Sequence, residues 1–92
     1  MIIRIMEEGQ YRIDSCFLDQ LNVIDNRIVE HVGKGDQKAF RDDLKSLIST
    51  IKENGKPIDP GDIISSNLIV PPQDLTFEEA QKIFRGQGLI ED

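Results

Sequence analysis

The first fourteen residues, MIIRIMEEGQYRID, constrain the fold more than any other stretch of the chain. Ile2–Met6 and Gln10–Asp14 read as strands flanking Glu7-Glu8-Gly9, a three-residue loop with glycine where a tight turn needs positive φ. With Met6 facing Gln10, Ile5 pairs with Tyr11 and Ile3 with Ile13. One face of this hairpin is then apolar, and Arg4 lies opposite Arg12 on the other. Two strands alone are marginal in water, so the rest of the chain must cover the apolar face.

Ninety-two residues make a single domain, residues 1–92. A chain of that size buries roughly 60–65% of its unfolded surface, enough for one core without staples. Eleven basic against seventeen acidic residues leave a net charge of −6. Such a balance argues against nucleic-acid binding, which rests on phosphate neutralisation by Lys and Arg, and against direct attraction to an anionic membrane. No apolar run approaches the ~20 residues of a membrane span. Glu7-Glu8 also interrupts any signal-like start. The lone Cys16 has no internal disulfide partner, and neither a CxxC pair nor a Cys/His cluster offers a zinc site. A cytoplasmic setting is expected, with no metal or cofactor.

Helical periodicity succeeds the hairpin. Asp14-Ser15 is an N-cap signal, and Phe17, Leu21, Ile24, Ile28 and Val32 recur on one face, widened by Leu18 and Val29. Gly33-Lys34-Gly35 breaks this helix and Asp36 caps a second, whose stripe is Phe40, Leu44, Leu47, Ile48 and Ile51. Asn54-Gly55 ends it, with Pro57 beyond. So short a link predicts an antiparallel αα-hairpin. Pro57, Pro60 and Gly61 bar a helix from the segment after it. Ile63-Ile64 and Leu68–Val70 are short apolar pieces, and Leu68–Val70 is the better third strand, stopped by Pro71-Pro72. Thr76-Phe77-Glu78-Glu79 spells a capping box for a last helix, with Leu75 and Ala80 as its staple. Phe77, Ala80, Ile83 and Phe84 form its buried face, Gly86 its end, and Leu89-Ile90 a return onto the core. The predicted class is α+β: β-hairpin, two-helix hairpin, short third strand, C-terminal helix.

Five residues stand out as candidates for partner binding. Opposed Arg4 and Arg12 call for something to offset them: an acidic partner surface, a bound anion, or screening by the chain's own carboxylates or by water. Gln10 shares their hairpin. Asp25 falls inside the apolar arc of the first helix, where a carboxylate needs a hydrogen-bond partner, and Asn22 borders the same arc. Both fit structural satisfaction or a binding face. His31 lacks a nucleophile at any recognisable spacing and sits near a helix C-terminus as a flanking group. Cys16 lies in a first helical turn, where thiol pKa values fall, yet it has no paired base. Gly33-Lys34-Gly35 is too short for a phosphate loop. Nothing in these patterns specifies catalysis.

Taken together, the residues resemble PspAA, the PspA-associated domain family of phage-shock systems. The carriers are Met1-Ile2-Ile3-Arg4-Ile5-Met6 with Gly9-Gln10-Tyr11-Arg12, then Leu21-Asn22 with Asp25, Phe40, and Gly55-Lys56-Pro57. Ser66-Asn67-Leu68-Ile69-Val70-Pro71-Pro72 with Asp74, Glu79, and Gly88-Leu89-Ile90 complete them. Asn67 departs from the pattern, where Asp is expected, which puts any ionic role there in question. The resemblance implies a non-enzymatic accessory protein of the envelope-stress response. Its partner would be PspA, a membrane-remodelling coiled-coil protein, so that any membrane contact is indirect. A ligand-sensing or regulatory domain acting in transcription or metabolism is the alternative.

Overall fold

Ile2–Ile5 (β1) and Gly9–Arg12 (β2) form the expected antiparallel hairpin in the computed structural model, which describes residues 1–62, 64–84 and 88–89. The register is Ile2↔Arg12, Ile3↔Tyr11, Arg4↔Gln10 and Ile5↔Gly9, two residues away from the pairing expected from the pattern. Arg4 therefore faces Gln10, and the two arginines are not opposed. A two-residue shift keeps every side chain on its own face, so hydrophobic alternation cannot distinguish the two registers. The turn is closed by the Glu8 N–H donating to Ile5 O at 3.0 Å. Gly9 has φ of 103°, as expected, but Glu7 also enters the left-handed region at 72°.

Asp14 caps a single 3-10 turn, Ser15–Phe17, by accepting the Cys16 N–H at 2.9 Å. Helix α1, Leu18–Lys34, comes next. Its Leu21, Ile24, Ile28 and Val32 are buried as the helical period requires, whereas Leu18, assigned to the stripe, lies exposed at the start. The helix runs through Gly33 and closes at Gly35, φ 75°. One residue later Asp36 accepts the Ala39 N–H and caps α2, Gln37–Asn54. All five residues of the second stripe are buried. The two-residue link folds α2 back along α1 in the most extensive packing of any two elements.

Gly55 ends α2 with an extended φ of −98°, so positive φ is not its reason. A β-carbon there would lie 2.7 Å from Ile51 O and 3.3 Å from Arg12 O. Glycine lets the chain pass close against β2 and form β3, Lys56–Pro57, antiparallel to it. This two-residue strand carries no sequence signal of its own, and its proline is tolerated because it lies at a sheet edge. The anticipated third strand is β4, Leu68–Val70, which pairs in parallel with β1. The sheet order is β3-β2-β1-β4.

β3 and β4 occupy opposite edges, so the connecting segment crosses the outer face of the sheet. There Gln10 Nε2 donates to Ile64 O at 2.7 Å and to Ser66 Oγ at 2.8 Å. On the inner face Ile3, Ile5, Ile13 and Val70 join the apolar stripes of α1 and α2 in one core. Thr76 and Glu79 make the expected capping box for α3, Phe77–Ile83. Leu75, Ala80 and Phe84 are buried, and Phe40 meets the rings of Phe77 and Phe84 edge-on at 5.8 and 6.5 Å. Ile83, assigned to the buried face, is exposed. The proposed stop at Gly86, and the roles given to Ile63 and Ile90, lie outside the described residues.

Asn67 fastens β4 to the centre of the sheet. Its Oδ1 accepts the Ile2 N–H and its own N–H donates to Ile2 O, both at 2.8 Å. The position needs an acceptor and no charge, which accounts for Asn serving where Asp is expected. Asn67→Ala will lower stability by about 1 kcal/mol in urea denaturation while Asn67→Asp stays near wild type.

Candidate functional site

Where β4 stops at Pro71-Pro72, the chain turns into α3, with the Leu75 N–H donating to Pro72 O at 3.0 Å. That turn leaves a groove between the edge of the sheet and α3. Met6, Ile69, Pro71, Pro72, Leu75, Ile83 and Leu89 line a volume of about 330 Å³ with almost no polar atom among them. Met6, Ile69 and Ile83 remain 45%, 54% and 45% exposed. Burying one such side chain is worth roughly 1.5–3 kcal/mol, so water-facing apolar groups gathered in one place make this groove a candidate binding surface.

The five sequence-selected residues fall into two groups, and neither lines this groove. Arg4, Gln10 and Arg12 share the outer face of the sheet. Arg4 and Arg12 are exposed and enter no ion pair among the described residues. Glu8, Asp59 and Asp62 line the same pocket as Arg4, while Arg12 stands opposite Lys56. Gln10 is only 8% exposed, and its amide is taken up by the crossing segment. That burial is invisible in the hairpin pattern, because residues more than fifty positions later create it.

Asn22 and Asp25 lie one turn apart on α1, half-buried and buried respectively. Asp25, at 1% exposure, accepts the Leu89 N–H at 3.0 Å. A β-carbon at Gly88 would collide with the same carboxylate. Leu89 lines the groove, so Asp25 holds one of its walls in place from within the core. The sequence marked Asp25 as needing a partner; the groove residues themselves were missed. Their one available signal was Ile69 beside Pro71-Pro72, an apolar strand residue next to a forced stop.

A family model, PspA-Associated protein (PspAA), matches residues 1–92. The chain belongs to the PspAA family. No curated protein and no solved structure shows significant similarity to it. Met6, Ile69, Pro71, Pro72 and Leu89 of the groove all lie in the stretches through which the chain resembles PspAA.

Two further polar contacts tie elements of this PspAA protein together. His31 Nδ1 lies 2.5 Å from Asp43 Oδ2 and bridges α1 to α2. Lys52 pairs with Glu8, joining α2 to the hairpin tip, and Glu8 holds the Lys52 ammonium above its ordinary pKa. Among the described residues no three His, Cys, Asp or Glu side chains gather as metal ligands, and no helix is long and apolar enough to cross a membrane.

Cys16 behaves contrary to the helix-terminus expectation. A hydrogen bond to the Asp14 carboxylate raises the thiol above its ordinary 9.0. The cap thus outweighs the short 3-10 turn, whose dipole is slight. In return the Cys16 N–H draws Asp14 below its ordinary 3.8, so the cap's contribution is full above that pH and is lost as pH falls from there through the lowered value of the folded protein. Asp14→Asn will move the pH midpoint of Cys16 alkylation downward. In chemical denaturation Asp25→Ala will cost on the order of 2 kcal/mol, and Asp25→Asn, which keeps an acceptor for Leu89, distinctly less.

Proposed function

We propose that this PspAA protein is a non-enzymatic accessory of the phage-shock envelope-stress response, which binds PspA and modulates its assembly. The observation that carries this reading is the family match, which spans the whole chain. Structure and charge agree with it. Buried Gln10 and Asp25 are used to fasten distant segments, and exposed Met6, Ile69 and Ile83 share one apolar groove. The net charge of −6 favours a protein partner over nucleic acid or an anionic bilayer, so the protein reaches the inner face of the membrane through PspA.

The fold narrows how the partner docks. Strand addition to the hairpin requires a free edge on β1 or β2, and β4 and β3 occupy both. What stays open is the short outer edge of β3 or β4, or contact through side-chain surfaces: the groove, the arginine face of the sheet, or the outer side of α1.

The test is to isolate the protein from cells under membrane stress and identify what co-elutes, then mix purified chain with purified PspA. Co-elution in both, with a changed PspA size distribution in the second, is the expected result. Absence of PspA from both would refute the proposal. Capture of DNA with steep salt dependence, or a thermal shift with a small metabolite, would point to a regulatory domain instead.

A further inference from the structure

Large apolar side chains left exposed among the described residues fall in two places. Met6, Ile69 and Ile83 converge on the groove, whereas Leu18 and Val23 lie on α1. Five residues apart on a helix means about 140° around its axis, so Leu18 and Val23 form no stripe. The groove is therefore the one continuous apolar surface that these five residues create.

Backbone chemistry restricts what can lie in it. β4 contributes three residues to the ladder, and Pro71 and Pro72 beyond it have no N–H to offer. An extended peptide laid along this surface would find only the short outer edge of β4 to pair with, and would bury most of its amides and carbonyls without partners. An α-helix satisfies its own backbone and asks of the groove only apolar contact. A second copy of this chain is a poor occupant, because two chains of net charge −6 repel each other.

Charge narrows the occupant further. Glu7 follows Met6, Asp74 precedes Leu75, and Glu78 and Glu79 lie within the turn and a half before Ile83, against Arg4, Arg41 and Lys82 nearby in the fold. With −6 on the whole chain, the long-range field favours a cationic partner segment.

We infer that the groove receives the apolar face of a basic amphipathic helix supplied by PspA, anchored by side chains at i, i+3 or i+4, and i+7. This inference rests on the PspA reading and assigns the surface that it uses.

Titration calorimetry of the full chain against full-length PspA decides it. Wild type is compared with Ile69→Asp, Ile83→Asp, and the off-groove controls Val23→Asp and Arg12→Glu. All four positions are exposed, and circular dichroism with thermal melting verifies that each variant folds; Met6→Lys replaces any that does not. The expected result is wild-type binding with a negative heat-capacity change, loss of at least about tenfold in affinity for each groove variant, and unchanged controls. No binding by wild type overturns the PspA reading and the inference together. Binding that survives both groove substitutions overturns the inference alone, as does loss confined to Val23→Asp. A wild-type dimer that Ile69→Asp dissociates overturns it in favour of self-association.

Discussion

β1 is hydrogen-bonded along both edges, to β2 by the hairpin and to β4 in parallel, and that position dictates the rest of the molecule. A parallel neighbour cannot be reached by a tight turn. The chain must leave β2, travel, and return in the direction of β1. The αα-hairpin makes the first part of that journey and covers the inner face, where Ile3 and Ile5 are fully buried. The segment after β3 makes the second part and covers the outer face over Gln10. Asn67 then closes the circuit on Ile2. Each added strand is short, and a proline lies within or just after it, which blunts the edges that a small sheet would otherwise expose to other chains.

The asymmetry of this arrangement produces the groove. Phe77 and Phe84, at the two ends of α3, pack against Phe40, and Ile83, at the margin of that buried face, stays exposed. Among the described residues β4 pairs with β1 alone, and Pro71-Pro72 ends the strand just beyond the exposed Ile69. Asp25 reaches the same region from below through Leu89, which links a buried polar residue of α1 to the shape of an outer surface. A PspAA protein of this design exposes a preformed apolar surface while its buried polar side chains hold the frame.

Much of the frame was legible in the sequence because local signals agreed with one another. The two helical stripes, the Asp36 cap, the Thr76–Glu79 capping box and strand Leu68–Val70 each had a mechanism confined to a few residues. What escaped was set by partners distant in the chain. The hairpin register shifted by two without moving any side chain to another face, and Glu7 took a left-handed conformation that its type does not advertise. β3 is two residues long and half proline. Gln10 is buried by residues 64 and 66, and Asp25 is satisfied by a backbone N–H sixty-four positions away. Ile83 and Leu18 fit the helical period but lie at its margins, where neighbouring layers decide burial. The groove was illegible for the same reason, since three separated segments supply its walls.

The central claim is that this protein works by presenting a built apolar surface to another protein. Methyl NMR of the isoleucine- and methionine-labelled chain, titrated with PspA, tests it most directly. The account predicts that the methyl signals of Met6, Ile69 and Ile83 shift or broaden first, while those of core residues Ile3, Ile5 and Ile28 hold their positions. Perturbation that leaves all three groove methyls untouched would contradict it.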